Sequence, residues 1–62
     1  MLLKDLLTTQ KKAVSLMFFD KHDKLQCYEY IKINFKNIPR HLLEMEVMEV
    51  VEESDCDEIW IA

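Results

Sequence analysis

The sequence contains no glycine and only one proline, Pro39. Without glycine, the glycine-rich loop that many proteins use to hold a phosphate cannot form. No apolar run approaches the roughly 20 residues needed to cross a bilayer. Near the start of the chain, Asp5 stands where a signal peptide would carry basic residues. These features predict a cytoplasmic protein that does not contact membranes.

The last third of the chain lacks basic residues altogether. Residues 1–41 carry 8 basic and 4 acidic side chains, a net charge of +4, whereas residues 42–62 carry 8 acidic ones, a net charge of −8. An acidic surface of this kind most often only keeps a small protein soluble. The alternative is that it binds a basic partner. We expect no direct nucleic-acid binding, because that affinity comes largely from cations on phosphates. Such binding would need several lysines on one face: Lys4, Lys11, Lys12, Lys32 and Lys36.

Cysteine is also scarce. The two residues, Cys27 and Cys56, have no CxxC spacing and are not expected to form a disulfide. Cys27 lies in a strand-like run and is interpreted as a small apolar residue. The acids on either side of Cys56 should raise the pKa of its thiol and make it a poor nucleophile.

The 62 residues predict a single domain of marginal stability, since a chain of this size buries only about 60% of its unfolded surface. Leucines at positions 2, 3, 6 and 7 have the spacing of one helix face. Alternating apolar residues predict a strand over Ala13–Phe19, a hairpin loop over Asp20–Lys24 and an antiparallel partner strand over Leu25–Phe35.

The stretch Ile38–Val47 predicts a short helix that joins two strand pairs. Proline suits the first turn of a helix because the N–H it lacks is not needed there. Leu42 and Leu43 would then face the sheet. A third strand is predicted over Val47–Glu53, a turn over 54–57 and a fourth strand over 58–62. The expected fold is α+β, a two-layer sandwich in which two short helices cover an antiparallel sheet of about four strands, in the order α-β-β-α-β-β.

No residue pattern predicts catalysis, a cofactor or a metal site, so we expect the protein not to be an enzyme. Asp20, His22 and Asp23 crowd one short loop, which is more typical of a solvated turn than of metal ligands. Catalytic carboxylates need environments that drive their pKa values apart, and a dense acidic series is more typical of a solvated rim.

An open sheet face on so small a domain favours self-association, and we expect a homodimer. The candidate interaction surface comprises aromatic anchors, since aromatic side chains dominate interface energetics, and acids of the third strand. Its residues are Tyr28, Tyr30, Trp60, Glu49, Glu52 and Glu53. The alternative is an acidic inhibitor of a basic host protein that binds nucleic acid or acts in defence.

Three short motifs carry a resemblance: Leu3-Lys4-Asp5-Leu6-Leu7, a strand that ends in Phe19-Asp20, and Ile38-Pro39 followed by Leu42-Leu43 and Glu46-Val47. In these the chain resembles small uncharacterised proteins of about the same length from phages and prophages of Gram-positive bacteria. This chain has a longer segment between Leu25 and Ile38. The resemblance implies an accessory protein of a mobile element and supplies no catalytic residues.

Overall fold

The helices and strands of this small α+β fold follow one another in the predicted order. The computed structural model describes residues 1–62. Its elements are helix α1 (Leu3–Leu7), strands β1 (Ala13–Phe19) and β2 (Leu25–Tyr30), a 3₁₀ helix (Phe35–Asn37), helix α2 (Arg40–Leu43) and strands β3 (Val47–Glu52) and β4 (Cys56–Ile61).

The loop between β1 and β2 is organised by one carboxylate. Asp20 accepts hydrogen bonds at Oδ1 from the backbone N–H groups of His22 (2.8 Å) and Lys24 (3.0 Å), and at Oδ2 from the side-chain amide of Gln26 (2.8 Å). Asp23 takes the left-handed conformation, with φ of 61°, which aspartate tolerates better than most residues. The loop therefore closes without glycine, and β1 and β2 pair antiparallel.

The four strands form one sheet in the order β2-β1-β4-β3. The two edge pairs, β1–β2 and β3–β4, are antiparallel, whereas the two central strands, β1 and β4, run parallel. The prediction of a fully antiparallel sheet is therefore wrong, and the sheet is mixed.

The path of the chain between the two hairpins explains the parallel pair. β2 ends at Tyr30, beside the start of β1, and β3 begins at Val47, beside the end of β4. Residues 31–46 thus run from one end of the sheet to the other, and Ile38 and Leu42 are buried on the way. Had this connection returned to its starting end, β4 would lie antiparallel to β1.

Only one side of the sheet contributes to the hydrophobic core. Burial alternates along β1 and β4, as expected for strands with one covered face. The core cluster combines leucines of α1 and α2, alternate residues of β1 and β4, and one residue of the connection between β2 and α2. Its members are Leu3, Leu7, Val14, Leu16, Phe18, Ile38, Leu42, Ile59 and Ile61. We call this side of the sheet the core face.

Several boundaries differ from those that the sequence predicts. β2 stops at Tyr30 rather than Phe35, because its pairing with β1 ends at Val14, near that strand's start. The helix predicted over Ile38–Val47 is shorter, Arg40–Leu43, with Pro39 at its N-cap.

The second hairpin is tighter than predicted. The backbone N–H of Glu53 donates to the carbonyl of Cys56 (3.0 Å). Cys56 and Asp57 consequently belong to β4 rather than to the turn.

Candidate functional site

The side of the sheet opposite the core face is the open face. The strand registers place twelve residues on it: Ala13, Ser15, Met17, Phe19, Leu25, Cys27, Glu29, Glu49, Val51, Cys56, Glu58 and Trp60. Eight of them are apolar, and none is buried. An apolar face of this extent that no other element covers is the most distinctive surface of the molecule.

The upper end of the open face is apolar except for Glu49 at its β3 edge. Phe19 pairs with Leu25, and the next row along the strands joins Cys27, Met17 and Trp60. The rings of Phe19 and Trp60 are in contact, with centroids 6.4 Å apart. Phe19 is 56% exposed and Leu25 49% exposed, so both side chains are available to a partner.

The middle of the open face is acidic. Glu29 and Glu58 occupy the row that contains Ser15, and Glu49 lies beside Trp60. The indole Nε1–H of Trp60 donates to Oε1 of Glu58 (2.7 Å), which satisfies the only polar group of that ring. No lysine, arginine or histidine stands among the open-face residues to balance the three carboxylates.

The lower end of the open face contains a cavity of about 170 Å³. Four of its lining residues belong to the open face: Ala13, Ser15, Glu29 and Cys56. The others are Val14, Tyr30 and Ile31. The cavity and the apolar upper end therefore lie on the same surface, at opposite ends of β1.

The predicted aromatic anchors lie on two different faces. Trp60 is on the open face, whereas Tyr28 and Tyr30 pair with core-face residues of β1. The ring of Tyr28 meets Phe18 edge-on, with centroids 5.3 Å apart. Tyr30 packs against the core cluster, and partial burial, followed by the neighbouring Tyr28, raises the pKa of its hydroxyl. The three aromatic residues consequently do not form one surface.

The predicted acidic residues are likewise divided. Glu49 pairs with Trp60 and so lies on the open face, whereas Glu52 pairs with Asp57 and lies on the opposite side of β3. Glu53 follows β3 in the hairpin turn. All three are exposed, as expected for residues of an edge strand and its turn.

Sequence reasoning missed the one buried carboxylate, Asp57. Its side chain is only 11% exposed, lies 3.1 Å from the ammonium of Lys12 and accepts a hydrogen bond from Gln10 Nε2 (2.7 Å). These two partners, Gln10 first, hold the pKa of Asp57 below its ordinary value of 3.8. The same lysine donates to the carbonyl of Glu53 (2.7 Å). Asp57 therefore fastens the segment before β1 to β4.

A signal for this burial exists in the sequence. Asp57, Ile59 and Ile61 are alternate residues of β4, and all three are buried. Had the fourth strand been predicted from residue 56 instead of 58, this alternation would have placed the Asp57 carboxylate on the core face.

Both cysteines are free thiols, Cys27 exposed and Cys56 half-buried. Burial first, and then the acids Glu53, Asp57 and Asp55, raise the pKa of the Cys56 thiol. The predicted direction is thus confirmed, with burial as the larger cause. At neutral pH the thiol is protonated and a weak nucleophile.

No three histidine, cysteine, aspartate or glutamate side chains come together as a group that could hold a metal ion. None of the helices combines the length and the apolar character that crossing a membrane requires. In comparisons with protein-family models, curated proteins and solved structures, nothing matches this chain.

Proposed function

We propose that this chain is a small accessory protein without catalytic activity, encoded by a phage or prophage, that acts in the bacterial cytoplasm through protein–protein contact. We infer that its helices form one layer and the sheet a second, which presents the open face to a second copy of the chain. The observation that carries the proposal is the apolar upper end of that face, where Phe19, Leu25 and Trp60 lie together. The resemblance to small phage proteins supports the biological context.

The size of the open face limits how tightly two copies can associate. At about 4.8 Å between strands and about 3.3 Å per residue, four strands of about six residues measure roughly 19 by 20 Å. Two such faces cover about 760 Å² together, below the roughly 1,200 Å² at which standard specific interfaces begin, so the contact belongs to the weak, transient class. We therefore expect a dissociation constant in the micromolar range.

A charge in the apolar upper end tests this function. Leu25→Glu should convert the dimer into a monomer in sedimentation velocity, because it removes an apolar contact of the upper end and adds a further carboxylate to a face that already repels its copy. The matched control is Phe35→Glu, at a residue that is 41% exposed and lies in the 3₁₀ helix rather than in the sheet. If both variants remain dimeric, the open face is not the contact. If both become monomeric, net charge rather than the face explains the effect.

The second candidate is an acidic inhibitor of a basic host protein, and one observation favours it. The open face carries Glu29, Glu49 and Glu58 without any cation, which suits a partner whose apolar anchor is flanked by lysine or arginine. Salt separates the two functions. Added salt screens repulsion between two acidic faces and strengthens the homodimer, whereas it weakens binding to a basic partner.

A further inference from the structure

The volume of the cavity on the open face indicates what could fill it. Sites for cofactors and drug-sized ligands measure about 300–1,000 Å³, so a cavity of about 170 Å³ is too small for them. Apolar cavities of about 150 Å³ hold a benzene molecule. The cavity therefore has the size of a single aromatic side chain.

We propose that a second copy of this chain supplies that side chain: Phe19 of each copy inserts into the cavity of the other, in a two-fold, face-to-face dimer. The inference rests on the proposed self-association through the open face and specifies its geometry. Phe19 is the most exposed aromatic residue of the chain and lies on the same face as the cavity.

The positions of the two features along β1 allow both contacts at once. Ser15 and Ala13, in the cavity wall, precede Phe19 by four and six residues, or roughly 13–20 Å at about 3.3 Å per residue. A two-fold axis that lies between the sheets, perpendicular to the strands and close to Met17, exchanges the two ends of β1. Each Phe19 then faces the cavity of the other copy, as an isologous interface requires.

The charges of the open face add a condition to this dimer. Stacking brings together Glu29, Glu49 and Glu58 of both copies with no cation among them. Their repulsion falls when salt screens it, so the dimer should tighten with ionic strength. Most interfaces built on opposite charges show the reverse dependence.

Complementation between two variants tests the inference. Phe19→Ala removes the inserted ring, and Glu29→Trp fills the cavity from an exposed position. Each alone should raise the dissociation constant at least about 30-fold, as expected for loss of an aromatic anchor. Mixed together they should form a heterodimer tighter than either homodimer, because one intact Phe19 meets one intact cavity. Glu29→Gln, which removes the charge without filling the cavity, should still dimerise.

The outcomes are read by sedimentation of each variant and of the mixture, with circular dichroism to check folding. If both variants dimerise as tightly as the wild-type chain, or if their mixture forms no tighter heterodimer, Phe19 does not insert into the cavity. Self-association through the open face would still stand in that case. A wild-type chain that is monomeric would overturn both proposals. Ala13→Leu, which fills the cavity from its other wall, replaces Glu29→Trp if that variant is unfolded.

Discussion

Replacing Leu42 by alanine tests the packing that defines the sheet order. Leu42 is fully buried, at 0% exposure, in the segment that runs from the end of β2 to the start of β3. A buried leucine changed to alanine costs about 3–5 kcal/mol, from lost transfer energy and the cavity left behind. At about 0.05–0.15 kcal/mol per residue, the whole 62-residue chain has a free energy of unfolding of about 3–9 kcal/mol. The substitution should therefore remove at least about a third of the stability, and all of it if the chain lies at the lower end of that range.

Urea unfolding followed by circular dichroism measures this loss. A slope of about 1 kcal/mol per molar urea, suited to a small chain, converts it into a midpoint lower by about 3 M or more. In a thermal melt the expected drop is about 15 °C or more. The matched control is Leu25→Ala, the same substitution at a half-exposed position of the open face, which should cost less than about 1 kcal/mol when measured at a concentration too low for self-association.

Equal effects of Leu42→Ala and Leu25→Ala would refute the reasoning. In that case residues 31–46 would not cross the core, and the account of why β1 and β4 are parallel would lose its basis. A large effect of Leu25→Ala alone would place the core on the wrong side of the sheet.

Three further predictions concern the loop, the buried carboxylate and the thiols. At the left-handed position of Asp23, urea melts should show Asp23→Val losing about 1–2 kcal/mol and Asp23→Gly losing little. Because the folded-state pKa of Asp57 lies below 3.8, its contribution to stability is present above the unfolded-state pKa and lost as the pH falls through the folded-state pKa. In Asp57→Asn, the free energy of unfolding should therefore fall less steeply than in the wild-type chain as the pH drops below about 4. An unchanged pH dependence would contradict the contacts of Asp57 with Gln10 and Lys12. At a concentration too low for self-association, a thiol reagent at mildly alkaline pH should modify the exposed Cys27 faster than Cys56, whose thiol pKa is raised, so Cys27→Ser should remove the fast phase.

Much of the local structure could be predicted because each element has a local signal. The alternation over Ala13–Phe19 gives that strand with its observed bounds, and the Asp- and His-rich loop gives the hairpin. Strand order is different in kind. It depends on where the segment 31–46 places the second hairpin, and that path is decided by burial of Ile38 and Leu42 against residues distant in the sequence.

The candidate site was predictable only in part, for a related reason. The strand predicted over 58–62 places Trp60 correctly in β4, and its aromatic type suggests an anchor, but residue type does not say which face a side chain occupies. Face depends on register, and the bulge between Val47 and Glu49 shifts the register of β3 by one residue. Tyr28 and Tyr30 alternate with Gln26 along β2, and all three pair with core-face residues of β1. The side-chain amide of Gln26 donates to the carboxylate of Asp20.

The most direct test of the central claim, self-association through the open face, is sedimentation of the wild-type chain over a range of concentration and salt. Between about 10 µM and about 1 mM protein, the account predicts a monomer–dimer equilibrium. Raising the salt from about 50 to about 500 mM should shift that equilibrium toward the dimer, because the uncompensated carboxylates Glu29, Glu49 and Glu58 repel one another. A chain that stays monomeric throughout, or a dimer that dissociates as salt is added, would contradict it.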